Sequence, residues 1–180
     1  AIVLFVMSLG VYFYAIRQTT FDVIQEQYAE VLTDSMDGVI LTLADGKQVN
    51  LTQATDGTIQ SSDELEISKS IDFLSYVTTD NDVVAEKEKV VQYNSLFIPS
   101  GKTFQLMLAD GTKVWLNTKS ILRYPTQFSG ADRRVQLTGE GYFEVAKNIN
   151  KAFVVESVGQ ELTVLGTRSN VSAYSDEKVI

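Results

Sequence analysis

The chain has no cysteine and no histidine among its 180 residues. Their absence removes disulfides, thiolate zinc sites, cysteine nucleophiles, Ser-His triads and His-ligated metals from consideration. It does not identify a compartment, because proteins of oxidising compartments also lack cysteine. Cationic side chains are outnumbered: 15 Lys and Arg stand against 23 Asp and Glu, a formal net charge of -8. Such a balance repels phosphate backbones, so no nucleic-acid partner is expected. A hard cation held by oxygens is the one metal chemistry left open. Asp80-Asn81-Asp82 begins like a calcium loop. However, no Gly follows at the turn, and Val83 and Val84 occupy ligand positions. The segment reads as a solvated loop, and neither a metal nor a cofactor is expected.

What the chain does have, first, is an uncharged run over 1–16, from Ala1 to Ile16. As a helix it would be ~24 Å long, short of the ~30 Å hydrocarbon core. It reads as a transmembrane helix truncated at its start. The aromatic cluster Tyr12-Phe13-Tyr14 before Arg17 fits an interfacial belt better than a small-residue cleavage site. A signal-peptide core and a buried helix are the rival readings. Over 17–34, Phe21, Ile24, Tyr28, Val31 and Leu32 recur at helical spacings, with Asp22, Gln25, Glu26 and Glu30 between them. This pattern predicts an amphipathic juxtamembrane helix.

After Ser35 the period changes to two. Val39, Leu41 and Leu43 alternate with Ile40, Thr42 and Ala44, and Asp45-Gly46 supplies a hairpin turn. The stretch Leu43-Ala44-Asp45-Gly46 recurs as Leu108-Ala109-Asp110-Gly111. The flanks match poorly, so this is a good turn used twice and not a repeat unit. Residues 35–89 read as a β-rich first part of the extramembrane region, ending in a charged, unpatterned loop from Thr79 to Lys89. Over 90–180, strands are expected at Phe104 to Leu108, Lys113 to Asn117, Arg133 to Leu137 and Gly141 to Val145. Others follow at Ala152 to Glu156, Leu162 to Leu165 and Asn170 to Tyr174, and the last is cut near Ile180. Short strands with Gly and Asp turns imply an all-β fold, a two-sheet sandwich or jelly roll.

Few residues suggest chemistry. Glu140 and Glu144 share one face of a strand, about 13 Å apart along it. Glycosidase carboxylates need about 5 to 9.5 Å, so these two read as solvated edge charges. Arg133 and Arg134 are neighbours on a strand and point to opposite faces, which prevents a joint anion clamp. Trp115 invites a sugar-stacking role, but between Val114 and Leu116 it reads first as a core or sheet-packing residue. Gly166-Thr167 is the one place where a hydroxyl could attack the preceding carbonyl in an N-to-O acyl shift, given a strained turn. A plain turn between two strands explains the same residues. Nothing assembles a nucleophile, a base and an oxyanion hole.

Several stretches together resemble a known family. Val91-Gln92-Tyr93-Asn94-Ser95-Leu96-Phe97-Ile98-Pro99 leads into Leu108-Ala109-Asp110-Gly111-Thr112-Lys113-Val114-Trp115-Leu116-Asn117. Leu122-Arg123-Tyr124-Pro125, Leu137-Thr138-Gly139-Glu140-Gly141-Tyr142-Phe143-Glu144-Val145 and Val164-Leu165-Gly166-Thr167 follow in order. This succession resembles the FecR family of transmembrane anti-sigma regulators, in the form common in Bacteroidetes. It departs from the family's usual residues at Ser100-Gly101-Lys102, Ala109 and Ser169. The resemblance implies a signalling protein of the inner membrane with everything after Arg17 in the periplasm. Its partners would be the signalling domain of a TonB-dependent outer-membrane transporter and, through a cytosolic domain preceding the helix, an extracytoplasmic-function sigma factor. It implies no substrate turnover, although some members cut themselves at the bond corresponding to Gly166-Thr167. A membrane-tethered carbohydrate-binding sandwich, using Trp115, is the alternative from another functional class.

Overall fold

The alternation that dominates the sequence builds strands, and the computed structural model describes them over residues 37–61, 65–78, 91–157, 160–164 and 168–174. The expected membrane helix, the juxtamembrane helix, the Asp80-Asn81-Asp82 loop and Gly166-Thr167 all lie outside the described residues. Among the described residues there is no helix, and so none long and apolar enough to cross a membrane. The fold there is all-β, as the pattern implies.

Among the described residues thirteen strands are formed: β1 (Ile40–Thr42), β2 (Gln48–Asn50), β3 (Gly57–Ser61), β4 (Leu65–Ser70), β5 (Phe73–Thr78), β6 (Tyr93–Ile98) and β7 (Phe104–Met107), then β8 (Lys113–Leu116), β9 (Ser120–Pro125), β10 (Arg133–Glu144), β11 (Phe153–Ser157), β12 (Gln160–Val164) and β13 (Arg168–Ala173). They make two layers that share one strand. The first sheet runs β2-β1-β6-β9-β10-β11-β12, and the second runs β3-β4-β5-β7-β8-β10-β13. Neighbours are antiparallel except β10 with β11 and β5 with β7. The strands of the 35–89 stretch enter both sheets, β1 beside β6 and β5 beside β7.

The shared strand explains the architecture. Arg133 to Thr138 pair with β9 and β11 in the first sheet, whereas Gly139 to Glu144 pair with β8 and β13 in the second. Two strands expected from the sequence are therefore one twelve-residue strand that turns a corner. The corner is Gly139, at φ 91°. Only glycine adopts that conformation without strain. A Cβ there would also lie 2.5 Å from Ser120 Oγ and 2.8 Å from Lys119 O. The close approach is used: the buried Ser120 hydroxyl accepts from Glu140 N at 2.9 Å and donates to Glu140 O at 3.1 Å. Alternation of buried and half-buried residues continues through the bend without a slip. The same face of β10 therefore lines the core in both sheets.

That core is one cluster drawn from both layers, with Leu41, Leu96, Leu122 and Leu137 from the first facing Leu74, Leu106, Leu116 and Phe143 from the second. Each such side chain contributes roughly 1.5–3 kcal/mol by leaving water. Two contacts lock the layers together. Phe143 packs on Phe153 with ring centroids 6.0 Å apart. Tyr76 of β5 meets Tyr124 of β9 edge to face at 5.4 Å, with their hydroxyls 2.8 Å apart. Asn94 Nδ2 donates to the Tyr76 hydroxyl at 2.8 Å, while its Oδ1 accepts from Ala44 N at 2.9 Å. The buried polar groups thus satisfy one another.

The repeated Leu-Ala-Asp-Gly stretch forms the same turn twice. Gly46 N donates to Leu43 O and Gly111 N to Leu108 O, both at 2.9 Å, with φ of 85° and 83°. In each, the aspartate accepts from the backbone N two residues on, Asp45 from Lys47 and Asp110 from Thr112. This is aspartate's usual service in tight turns.

Candidate functional site

The second sheet turns its outer side to solvent. Register places Gln105, Trp115, Tyr142 and Asn170 in one row across β7, β8, β10 and β13. At the usual strand spacing the row is about 14 Å long. Trp115 is not in the core: Val114 and Leu116 point inward, and Trp115 points out, half-buried beside Tyr142. The two rings lie 5.4 Å apart and 59° out of parallel. The inward positions on either side belong to the core, so alternation alone decides the orientation.

Two charged rows flank this one. On one side Lys113, Glu144 and Arg168 are opposite one another, with Arg168 Nε 3.1 Å from Glu144 Oε1. These three, with Gly111 and Val145, line a shallow, open cleft. On the other side Glu140 is a hub: its Oε2 accepts from Asn117 Nδ2 at 2.7 Å and its Oε1 from Asn170 Nδ2 at 3.0 Å. Those two bonds hold the Glu140 carboxyl below the usual carboxylate range, the Asn170 bond being the larger cause. β10 is a central strand between β8 and β13, so neither glutamate is an edge charge. Both tie strands together, and nothing in their setting equips them as a hydrolytic pair.

Arg133 and Arg134 diverge as the alternation requires. Arg133 is buried and gives its guanidinium to Asp110 Oδ2 at 2.7 Å, Ala146 O at 2.8 Å and Lys151 O at 3.0 Å. It ties the β7–β8 turn to the β10–β11 connection and spends four of its five N–H groups doing so. Arg134 lies on the outer side of the first sheet, bonded to Asp132, Glu156 and Glu161. Its charge is strongly held, chiefly by the bond to Glu161. Among the described residues no group of His, Cys, Asp or Glu is arranged to hold a metal. The residues that sequence reasoning missed are Tyr142, Asn117 and Asn170. Their signal was the register that lines them up with Trp115 and Glu140, and register becomes visible only once strands are paired.

The geometry can be set beside known proteins. The family described as FecR protein matches residues 95–180. Over these residues the chain is similar to the FecR family. The FecR region begins within β6, contains the corner strand, and includes every residue of the Trp115 face. Two crystal structures of a candidate anti-sigma factor from Parabacteroides distasonis ATCC 8503, at 2.50 and 1.65 Å resolution, are similar to the chain. They are 35% and 36% identical over 47% and 46% of this chain, with TM-scores of 0.46 and 0.45. The aligned part spans only 40% and 39% of those two chains. No curated protein matches the chain.

Proposed function

We propose that the chain is the periplasmic sensor portion, with part of the membrane anchor, of a transmembrane anti-sigma factor. In this reading the FecR region receives a signal from the signalling domain of a TonB-dependent outer-membrane transporter. The uncharged run over 1–16 carries it across the inner membrane to a cytosolic domain that restrains an extracytoplasmic-function sigma factor. The observation that carries the proposal is the FecR match over residues 95–180.

The direct test is capture of the chain, alone and extended beyond Ile180, by an immobilised transporter signalling domain. The proposal expects saturable binding by at least the extended form. Failure of both forms to bind sinks it. Self-cleavage at Gly166-Thr167 would be a single event added to this relay. It predicts a fragment in wild-type cells that Thr167→Ala abolishes, and an intact wild-type protein rules it out.

A further inference from the structure

We propose that the outer side of the second sheet is a binding site for a neutral oligosaccharide. Four observations converge on that class of ligand. The first is the placement of Trp115 and Tyr142 as an adjoining, outward-pointing and half-buried pair at the middle of the sheet, flanked by neighbouring strands on both sides. Aromatic rings present flat apolar surfaces, and the faces of sugar rings carry the C–H groups that stack on them.

The second is the chemistry at the two ends of the row. Gln105 makes no side-chain hydrogen bond among the described residues, and the Asn170 amide, exposed, gives one N–H to Glu140. Each amide offers a donor and an acceptor on adjacent atoms, the pattern that vicinal hydroxyls satisfy. A stacking centre with a few fixed polar groups is how small polar ligands are oriented.

The third is charge. The flanking rows hold two carboxylates, Glu140 and Glu144, and two cations, Lys113 and Arg168, which cancel formally. An anionic ligand would meet both glutamates, and a cationic one both basic side chains. A neutral polyhydroxy ligand meets a ring of donors and acceptors with no net field to oppose it. The cleft lined by Gly111, Lys113, Glu144, Val145 and Arg168 lies two positions along β8 and β10 from Trp115 and Tyr142, where it would receive hydroxyls from a sugar extending past Trp115.

The fourth is the 59° between the ring planes. A single flat surface would suit the face of an insoluble, crystalline polymer. Two inclined surfaces suit consecutive sugar rings of one soluble, twisted chain. The site therefore takes a free oligosaccharide and not a fibre.

Trp115 is the only tryptophan in the chain, so its emission reports on the site without labelling. The full chain, kept in a sugar-free detergent, is titrated with hexamers of β-1,4-linked glucose, β-1,4-linked N-acetylglucosamine and α-1,4-linked glucose. A saturable blue shift with at least one of them is expected, with calorimetry giving the same Kd. Tyr142→Ala and Gln105→Ala should each weaken binding about tenfold or more. Tyr93→Ala, whose ring lies under Arg123 on the first sheet, should leave it unchanged. Circular dichroism confirms that each variant is folded, and Gln105→Ala, which removes no packed ring, serves if Tyr142→Ala is not. No saturable change with any of the three hexamers overturns the proposal, as does equal weakening by Tyr93→Ala. The assay reads the chain's own binding, so its outcome is independent of the relay proposed above.

Discussion

Gly139 illustrates how much of this fold rests on a single missing atom. Three demands meet at the residue: a φ of 91°, a contact with Ser120 Oγ that a Cβ would bring to 2.5 Å, and a backbone carbonyl at 2.8 Å. Flexible side chains could yield, but Lys119 O and Ser120 Cα are backbone and cannot move without displacing β9. Gly139→Ala is therefore expected to cost about 2–4 kcal/mol, the sum of left-handed strain and overpacking. A urea titration followed by Trp115 fluorescence measures it. A loss below about 0.5 kcal/mol would mean that the corner is not tightly held there. Gly111, also at positive φ, has only the Ala146 side chain within reach, at 3.9 Å, so Gly111→Ala should cost less.

At the scale of the element, β13 is the strand most dependent on side-chain clasps. It pairs with β10 alone, at an edge of the second sheet, and buries only Val171. Asn170 to Glu140 and Arg168 to Glu144 fasten its outer side. The Glu140 carboxyl titrates below its ordinary 4.5 because it accepts from Asn170 and Asn117. A depressed carboxylate contributes its stability above the unfolded value and loses it as pH falls through the folded one. Amide exchange in β13 should therefore accelerate relative to β9 as pH drops from 5 towards 3, once corrected for intrinsic rates. Glu140→Gln should remove most of that pH dependence. An unchanged profile would show that Glu140 does not hold the strand. The elements also show what the sequence disclosed. The Leu-Ala-Asp-Gly turns and most strands after Phe104 were legible, because turn chemistry and alternation are local. The corner strand was not, since Gly139 and Gly141 look like a break until Ser120 is seen to need the space. β9 was hidden by Pro125, a poor strand residue, tolerated here at the strand's last position. β4 was masked by Lys69, which occupies an inward position but takes its charge out to Asp56 at 2.7 Å. Trp115 packs on the sheet, as its neighbours suggested, but its outward direction and its partner Tyr142 were not legible, because the row exists only after β8 and β10 pair.

Across the whole molecule, the two sheets are joined by more than apolar contact. The Tyr76, Tyr124 and Asn94 cluster spans from β5 in the second sheet to β9 and β6 in the first. Burial pushes the Tyr76 hydroxyl up to about 12 and Tyr124 well above its ordinary 10. Raised values mean that the folded state favours the neutral phenols. The stability tied to them is complete below pH 10 and is lost as pH climbs through 12. An alkaline transition is therefore expected in which tyrosinate absorbance from these two rings appears together with loss of tertiary structure. Replacing both by phenylalanine should act in opposite directions at the two ends of the scale. At neutral pH the buried Asn94 Nδ2 loses its acceptor, costing about 1–3 kcal/mol. At high pH the variant has no buried phenol to ionise, so its stability should fall less steeply between pH 10 and 12. Urea titrations of both proteins at pH 7.5 and at half-unit steps above pH 9.5 separate the two effects. Parallel alkaline limbs would place the transition elsewhere and leave the tyrosine pair with a packing role alone.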